Sequence, residues 1–227
     1  MRMQCVGAVI LIAVVMVAPD SIALAAQDKP GPASPAQQLF EAGQYDDALK
    51  SISEKREKRE AGLPDAFLAS QAALKKTEND RAKDEFSKLK DSDDPVWKAV
   101  GESGLAAIEN DRDKAVELGK KAVEAAKSGD QPDQDDPAKK LRNFHAFYQL
   151  GLAQARKEDW TAAAESFTRA TELNPGFAYA HYYAGLSYSR IKRPDQVAKY
   201  FEAFLKLAPK APERSAVLSI LKAIRGD

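Results

Sequence analysis

Most of this chain places its apolar side chains at helical spacing, and few segments show the β-branched alternation of strands. Helix starts are marked by small caps before proline: Ser34-Pro35, Asp94-Pro95 and Asp136-Pro137. At the first of these, Gln37 completes a capping box. Residues 45–60 read as one helix, beginning Tyr45-Asp46-Asp47-Ala48. The helix before it is short, because Pro30, Pro32 and Pro35 forbid helix ahead of residue 35. Its charged run EKREKRE, from Glu54 to Glu60, supplies i,i+3 and i,i+4 pairs for a solvent-facing surface. Gly129 to Asp136 (GDQPDQDD) interrupts the pattern as an acidic loop. Pro212 to Gly226 is amphipathic, with Val217, Leu218, Ile220, Leu221 and Ile224 on one side. It reads as a helix covering an exposed apolar end.

The first 26 residues follow another rule. Arg2 precedes an uncharged run from Val6 to Ala18, Pro19-Asp20 ends it, and Ala23-Leu24-Ala25 offers small residues for a signal peptidase. Cleavage is expected after Ala25. A spanning helix needs roughly 20 apolar residues, and this run stops short of that. Cys5, the one cysteine, lies inside the signal. The mature chain therefore has no thiol for a disulfide, a nucleophile or a cysteine zinc site. A periplasmic or secreted location is the expectation.

A shift of 34 residues brings identical residues together at Ala146/Ala180, Tyr148/Tyr182, Gly151/Gly185, Leu152/Leu186, Arg156/Arg190, Phe167/Phe201, Leu173/Leu207 and Pro175/Pro209. The period and the pattern resemble the tetratricopeptide repeat family, whose motif is W-x2-L-G-x2-Y, then A-x3-F, then P. Residues 144–177 carry Phe147, Leu150, Gly151, Ala163, Phe167 and Pro175, with Gln154 departing at the tyrosine position. Residues 178–211 carry Gly185, Tyr188, Phe201 and Pro209, with His181, Ala184 and Val197 departing. Upstream, Ala82-x3-Phe86 and Ala115 mark weaker units at about 63–92 and 94–128. They depart at the glycine and proline positions, and generic helical hairpins remain the alternative there.

The resemblance implies an all-α fold, a right-handed solenoid of antiparallel hairpins. The expected organisation is a signal peptide (1–25), a flexible leader (26–34), tetratricopeptide-like hairpins (35–128), the acidic loop and a helix start (129–143), two repeats (144–177 and 178–211) and a capping helix (212–227). One hairpin cannot bury its apolar face alone, so neighbours must stack.

Charge and candidate chemistry narrow the function. The 34 basic and 34 acidic residues balance. Such a chain has no global field for nucleic acid or an anionic membrane. Phosphate loops, H-E-x-x-H and G-x-S-x-G do not occur. The two histidines, His145 and His181, sit at differently facing repeat positions, without acidic partners at helical spacing. Neither a metal site nor a cofactor nor an enzymatic activity is expected.

In the family, ligands lie against the first helix of each hairpin. Carried over position by position, that surface holds His145, Tyr148, Gln149, Leu152, Ala155 and Arg156, then Tyr179, Tyr182, Tyr183, Leu186, Ser189 and Arg190. Tyrosine and arginine are common interface anchors. The resemblance thus implies a scaffold or adaptor holding a protein or peptide segment in this concave groove. Packing of the tyrosines between helices, with the arginines near helix C-termini, is the competing explanation. A small ligand, glycan or lipid in the groove is the second functional reading. No asparagine–lysine carboxylate clamp stands in the groove, which disfavours a chaperone tail as partner.

Overall fold

The computed structural model describes residues 33–128 and 136–226. The expected signal peptide, most of the leader and residues 129–135 of the acidic loop lie outside the described residues. Among those described there are eleven helices and no strand: α1 (Pro35–Glu41), α2 (Tyr45–Glu57), α3 (Leu63–Lys75), α4 (Asn79–Lys90), α5 (Pro95–Ile108), α6 (Arg112–Ser128), α7 (Pro137–Arg156), α8 (Trp160–Leu173), α9 (Ala178–Arg190), α10 (Pro194–Leu207) and α11 (Arg214–Arg225). They form an all-α helical repeat solenoid of five antiparallel hairpins and a final helix.

The proline-marked starts have a direct cause. Asp94 accepts from the amides of Val96 and Trp97, and Asp136 from those of Ala138 and Lys139, each with proline in the first helical turn. Ser34 likewise accepts from the Gln37 amide at 3.2 Å. The capping box there is only half made. The Gln37 side chain reaches forward instead, donating to Glu41 Oε1 at 3.0 Å and to the Gly176 carbonyl at 3.3 Å.

Each hairpin turns through one left-handed residue: Gly43, Thr77, Asn110, Glu158 and Lys192, with φ between 58° and 78°. The next residue's amide reaches five residues back. These bonds are Gln44 to Leu39, Glu78 to Ala73, Asp111 to Ala106, Asp159 to Gln154 and Arg193 to Tyr188, all 2.9–3.0 Å. This is the helix-ending turn that satisfies otherwise orphaned carbonyls. It recurs in the three upstream hairpins, where the sequence motif is weak.

With the turns as anchors, a second regularity emerges. Seven residues before each turn stand Ala36, Ser70, Ser103, Gly151 and Gly185. Five residues after it stand Ala48, Ala82, Ala115, Ala163 and Val197. All ten are buried. Ser103 Oγ donates to the Ala115 carbonyl at 2.8 Å, so these two sets face each other across a hairpin. The upstream hairpins replace the motif glycine with alanine or serine, which keeps the contact close. At Gly151 even a methyl is too much: an added Cβ would lie 2.8 Å from the Phe167 ring.

The solenoid curls until its ends touch. Phe40 of α1 packs against Phe177 and Tyr179, with ring centroids 6.4 and 5.1 Å apart. Glu41 Oε1 accepts from the Ala178 amide at 2.8 Å, capping α9, whose own N-cap residue Phe177 makes no side-chain cap bond. Lys75 of α3 pairs with Glu213 at 2.8 Å, and the Tyr179 hydroxyl donates to the same carboxylate at 2.8 Å.

α11 covers the last hairpin through Val217 and Leu221, both buried against Phe201, Phe204 and Val197. Leu218 and Ile224 were expected in that cover but are 44% and 37% exposed. Helical geometry explains Leu218, which lies a full 100° away from Val217, whereas Ile224 shares the face of Val217 and Leu221 and is exposed in the last turn of α11.

Two predictions follow from this packing. Gly151→Leu forces a branched side chain into the Phe167 ring, and overpacking of this kind costs about 1–3 kcal/mol. A clear drop in the thermal midpoint is expected, and an unchanged midpoint would contradict the register. Glu41 gives the second. Burial raises its carboxyl from 4.5 to about 7, against the lowering effect of its bonds from Gln37 and Ala178. A raised carboxyl binds its proton more tightly folded than unfolded. Its contribution to stability is thus fullest below about pH 4.5 and is lost as pH rises towards 7. Glu41→Gln should match wild type in acid and gain over it by on the order of 1–3 kcal/mol above neutrality. Denaturant melts across this pH range would show parallel curves if Glu41 were not the cause.

Candidate partner-binding surface

The predicted groove residues come together on the concave side, and there they meet the chain itself. His145, Tyr148, Gln149 and Tyr179 are buried, while Leu152, Tyr182, Tyr183 and Leu186 are partly covered. Their neighbours include first-helix residues of the upstream hairpins and second-helix residues of α8 and α10. Phe67 of α3 lies edge-on to His145 and Tyr148, with centroids 4.8 and 6.0 Å apart. Trp97 of α5 lies 4.7 Å from His145, and Gln149 donates to Ser103 at 3.3 Å. Tyr183 stacks on Phe167 at 5.4 Å, and Tyr182 packs on Phe204 at 5.2 Å. The wall implied by the resemblance therefore exists, but in the described structure it is the core of a curled solenoid rather than an open groove.

Both arginines end up exposed near the helix ends. Arg156 donates to the Ala107 carbonyl in the last turn of α5 at 2.9 Å, and Arg190 lies 5.3 Å from the Trp160 ring. Arg156 thus neutralises part of a helix C-terminus, as the competing explanation has it. Burial raises the hydroxyl pKa of Tyr148, Tyr182 and Tyr183, so these tyrosines stay neutral.

This interior opens to solvent at one rim. A cavity of about 710 Å³ lies on the rim where α1, α3 and α7 begin and α8 passes into α9. Its apolar lining includes Phe67, Leu68, Leu141, Phe144, Leu173 and Phe177, with Gln37, Lys55, Asp65, Lys140 and Asn174 among its polar residues. Lys55 and Asp65 are paired at 2.8 Å. Of the predicted residues only His145 lines it. The overhang of α7 before Phe144 supplies Pro137, Lys140 and Leu141, which motif reading did not single out. The proline start and the length of apolar spacing after it were the available signal.

The two histidines differ. His145 Nδ1 donates to the Leu141 carbonyl at 2.6 Å, and burial lowers its pKa to about 4. His181 bonds through Nε2 to the Pro175 carbonyl at 3.0 Å, and burial lowers its pKa too. Both rings are neutral near pH 7. Among the described residues no cluster of three His, Cys, Asp or Glu could hold a metal.

Residues 148–212 match the family model of the tetratricopeptide repeat. No curated protein matches the chain. Among solved structures, the Cut9–Hcn1 hetero-tetramer of the APC/C is 16% identical with a TM-score of 0.51, over 83% of this chain and 34% of that chain. Yeast Tom70 is 17% identical with a TM-score of 0.51, over 84% and 38%. This chain thus spans little more than a third of either. YrrB, described as a TPR protein with an unusual peptide-binding site, is 20% identical with a TM-score of 0.44, over 82% and 88%. The repeat motif and the family match lie at the C-terminal end, and three upstream hairpins share the same turn and the same small-residue contact, so residues 148–212 are tetratricopeptide repeat and the hairpins before them have the same fold.

Proposed function

We propose that this chain is an exported protein-interaction scaffold of the cell envelope, holding a partner segment at the rim cavity. The observation that carries this reading is the cavity's position. It opens on side chains at the positions that the family turns towards ligands, namely Pro64, Phe67 and Leu68 of α3 and His145 of α7. An apolar floor with a mixed polar rim is the composition of an interface anchor pocket. A small ligand is the second reading, favoured by a volume inside the roughly 300–1,000 Å³ range of small-molecule sites.

Export rests on the uncharged run from Val6 to Ala18 and on Ala23-Leu24-Ala25. No helix among the described residues is long and apolar enough to cross a membrane. Mature protein from the native host should begin at Ala26, and Met1 retained in an integral membrane fraction would refute export.

The binding test is photo-crosslinking in the envelope fraction with full-length chain. Leu141→Arg places a charge at the cavity mouth on a partly exposed position, and Lys83→Ala on α4 is the control. A crosslinked partner should be captured by wild type and control and lost from Leu141→Arg, with equal helix content in all three. Capture unaffected by Leu141→Arg would move the site elsewhere on the solenoid.

A further inference from the structure

The chemistry of the cavity points to one kind of occupant, and the inference rests on the scaffold reading above. Three aromatic rings surround the His145 imidazole, those of Phe67, Trp97 and Phe144, at centroid distances of 4.7–4.8 Å. His145 is 5% exposed, and it lines the cavity. Its Nδ1 must be the donor towards the Leu141 carbonyl, because a carbonyl only accepts. The neutral ring then carries its lone pair on Nε2, which has no hydrogen bond among the described residues and is not fully buried, so it meets solvent. An acceptor in an aromatic box is a costly group to cover with hydrocarbon. Burying a polar atom without a partner costs about 1–3 kcal/mol.

We infer that the cavity receives a tyrosine or tryptophan side chain of the partner segment, with the ring among Phe67, Phe144 and Phe177 and its O–H or N–H donated to Nε2 of His145. Both side chains join a large apolar body to a single donor, which is what this lining complements. Phenylalanine has the body without the donor and leaves Nε2 stranded. Serine or threonine has the donor without the body and leaves the apolar lining wet. The cavity is larger than one such ring, so residues flanking the anchor enter with it. Among its rim charges Lys55 is engaged by Asp65, and the exposed Glu172 by Arg169. Selectivity on this reading arises from the donor on the ring.

The test compares N-acetyl-tyrosinamide, N-acetyl-tryptophanamide and N-acetyl-phenylalaninamide on the full-length chain, followed by the imidazole nitrogen resonances of His145. The first two should bind at least about tenfold more tightly than the third, as expected for satisfying an acceptor that the bound ring covers. Each should shift the Nε2 resonance. His145→Phe keeps an aromatic ring in the box and should erase the preference. His145→Gln restores an acceptor and should recover part of it. Equal binding of all three probes, no binding of any, or a preference that survives His145→Phe would overturn the inference. Loss of the preference with partner capture intact removes the tyrosine–tryptophan pocket and leaves the scaffold standing. Capture that does not depend on Leu141 moves the partner site elsewhere on the solenoid and removes the cavity as its anchor, whatever the probes do.

Discussion

The structure depends on the aromatic cluster where the first helices of the hairpins face one another. Phe40, Phe67, Tyr148, Phe177 and Tyr179 come from α1, α3, α7 and the entry to α9, yet all are buried in one core. In an open solenoid each repeat touches only its neighbours, and stability is close to a sum of nearest-neighbour terms. Here the Glu41–Ala178 and Lys75–Glu213 contacts join residues 137 and 138 positions apart. The ends are thermodynamically coupled, because loosening α1 uncovers the α9 start and leaves a buried carboxyl without its donors. Such long-range contacts also slow folding relative to a chain held by local pairs.

That cluster is possible because the hairpins are thin. The facing small residues, from Ala36/Ala48 to Gly185/Val197, bring each helix pair close enough for the following helix to bend inward. A larger residue at any of these places would push a hairpin open and swing its concave face away from the core. Packing at native density does not absorb such a change locally.

How much of this was legible follows from the same residues. Gly151, Phe167, Gly185 and Phe201 show the period because glycine and phenylalanine are rare enough to stand out. The upstream units obey the same steric rule with Ala36, Ser70 and Ser103, and small residues in an alanine-rich chain carry little signal. Turn residues such as Thr77, Glu158 and Lys192 are also invisible by type, since glycine is the residue that φ > 0 advertises. Tyr148 and Tyr179 stand on the helix face that meets Phe67 and Phe40. What could not be read was its cover: the sequence position of a side chain assigns a face, but only the curl of the whole chain decides whether solvent or Phe67 stands opposite. The same holds for Leu218 and Ile224, apolar residues whose neighbour is water.

The rim cavity has its own origin in the repeat arithmetic. Turn residues recur at 33 or 34 positions except between Asn110 and Glu158, where the interval is 48. The surplus lengthens α6 to 17 residues and α7 to 20, against 13 or 14 for α3, α5 and α9. At 1.5 Å per residue, the extra start of α7 projects roughly 10 Å beyond the rim. That overhang carries Leu141, which walls the cavity and whose carbonyl fixes the tautomer of His145. A regular repeat in this place would end the wall near Phe144 and leave His145 at an open edge. The longer start of α7 therefore does not merely separate two halves of the solenoid, because it supplies one wall of the cavity that opens into an otherwise self-filled groove.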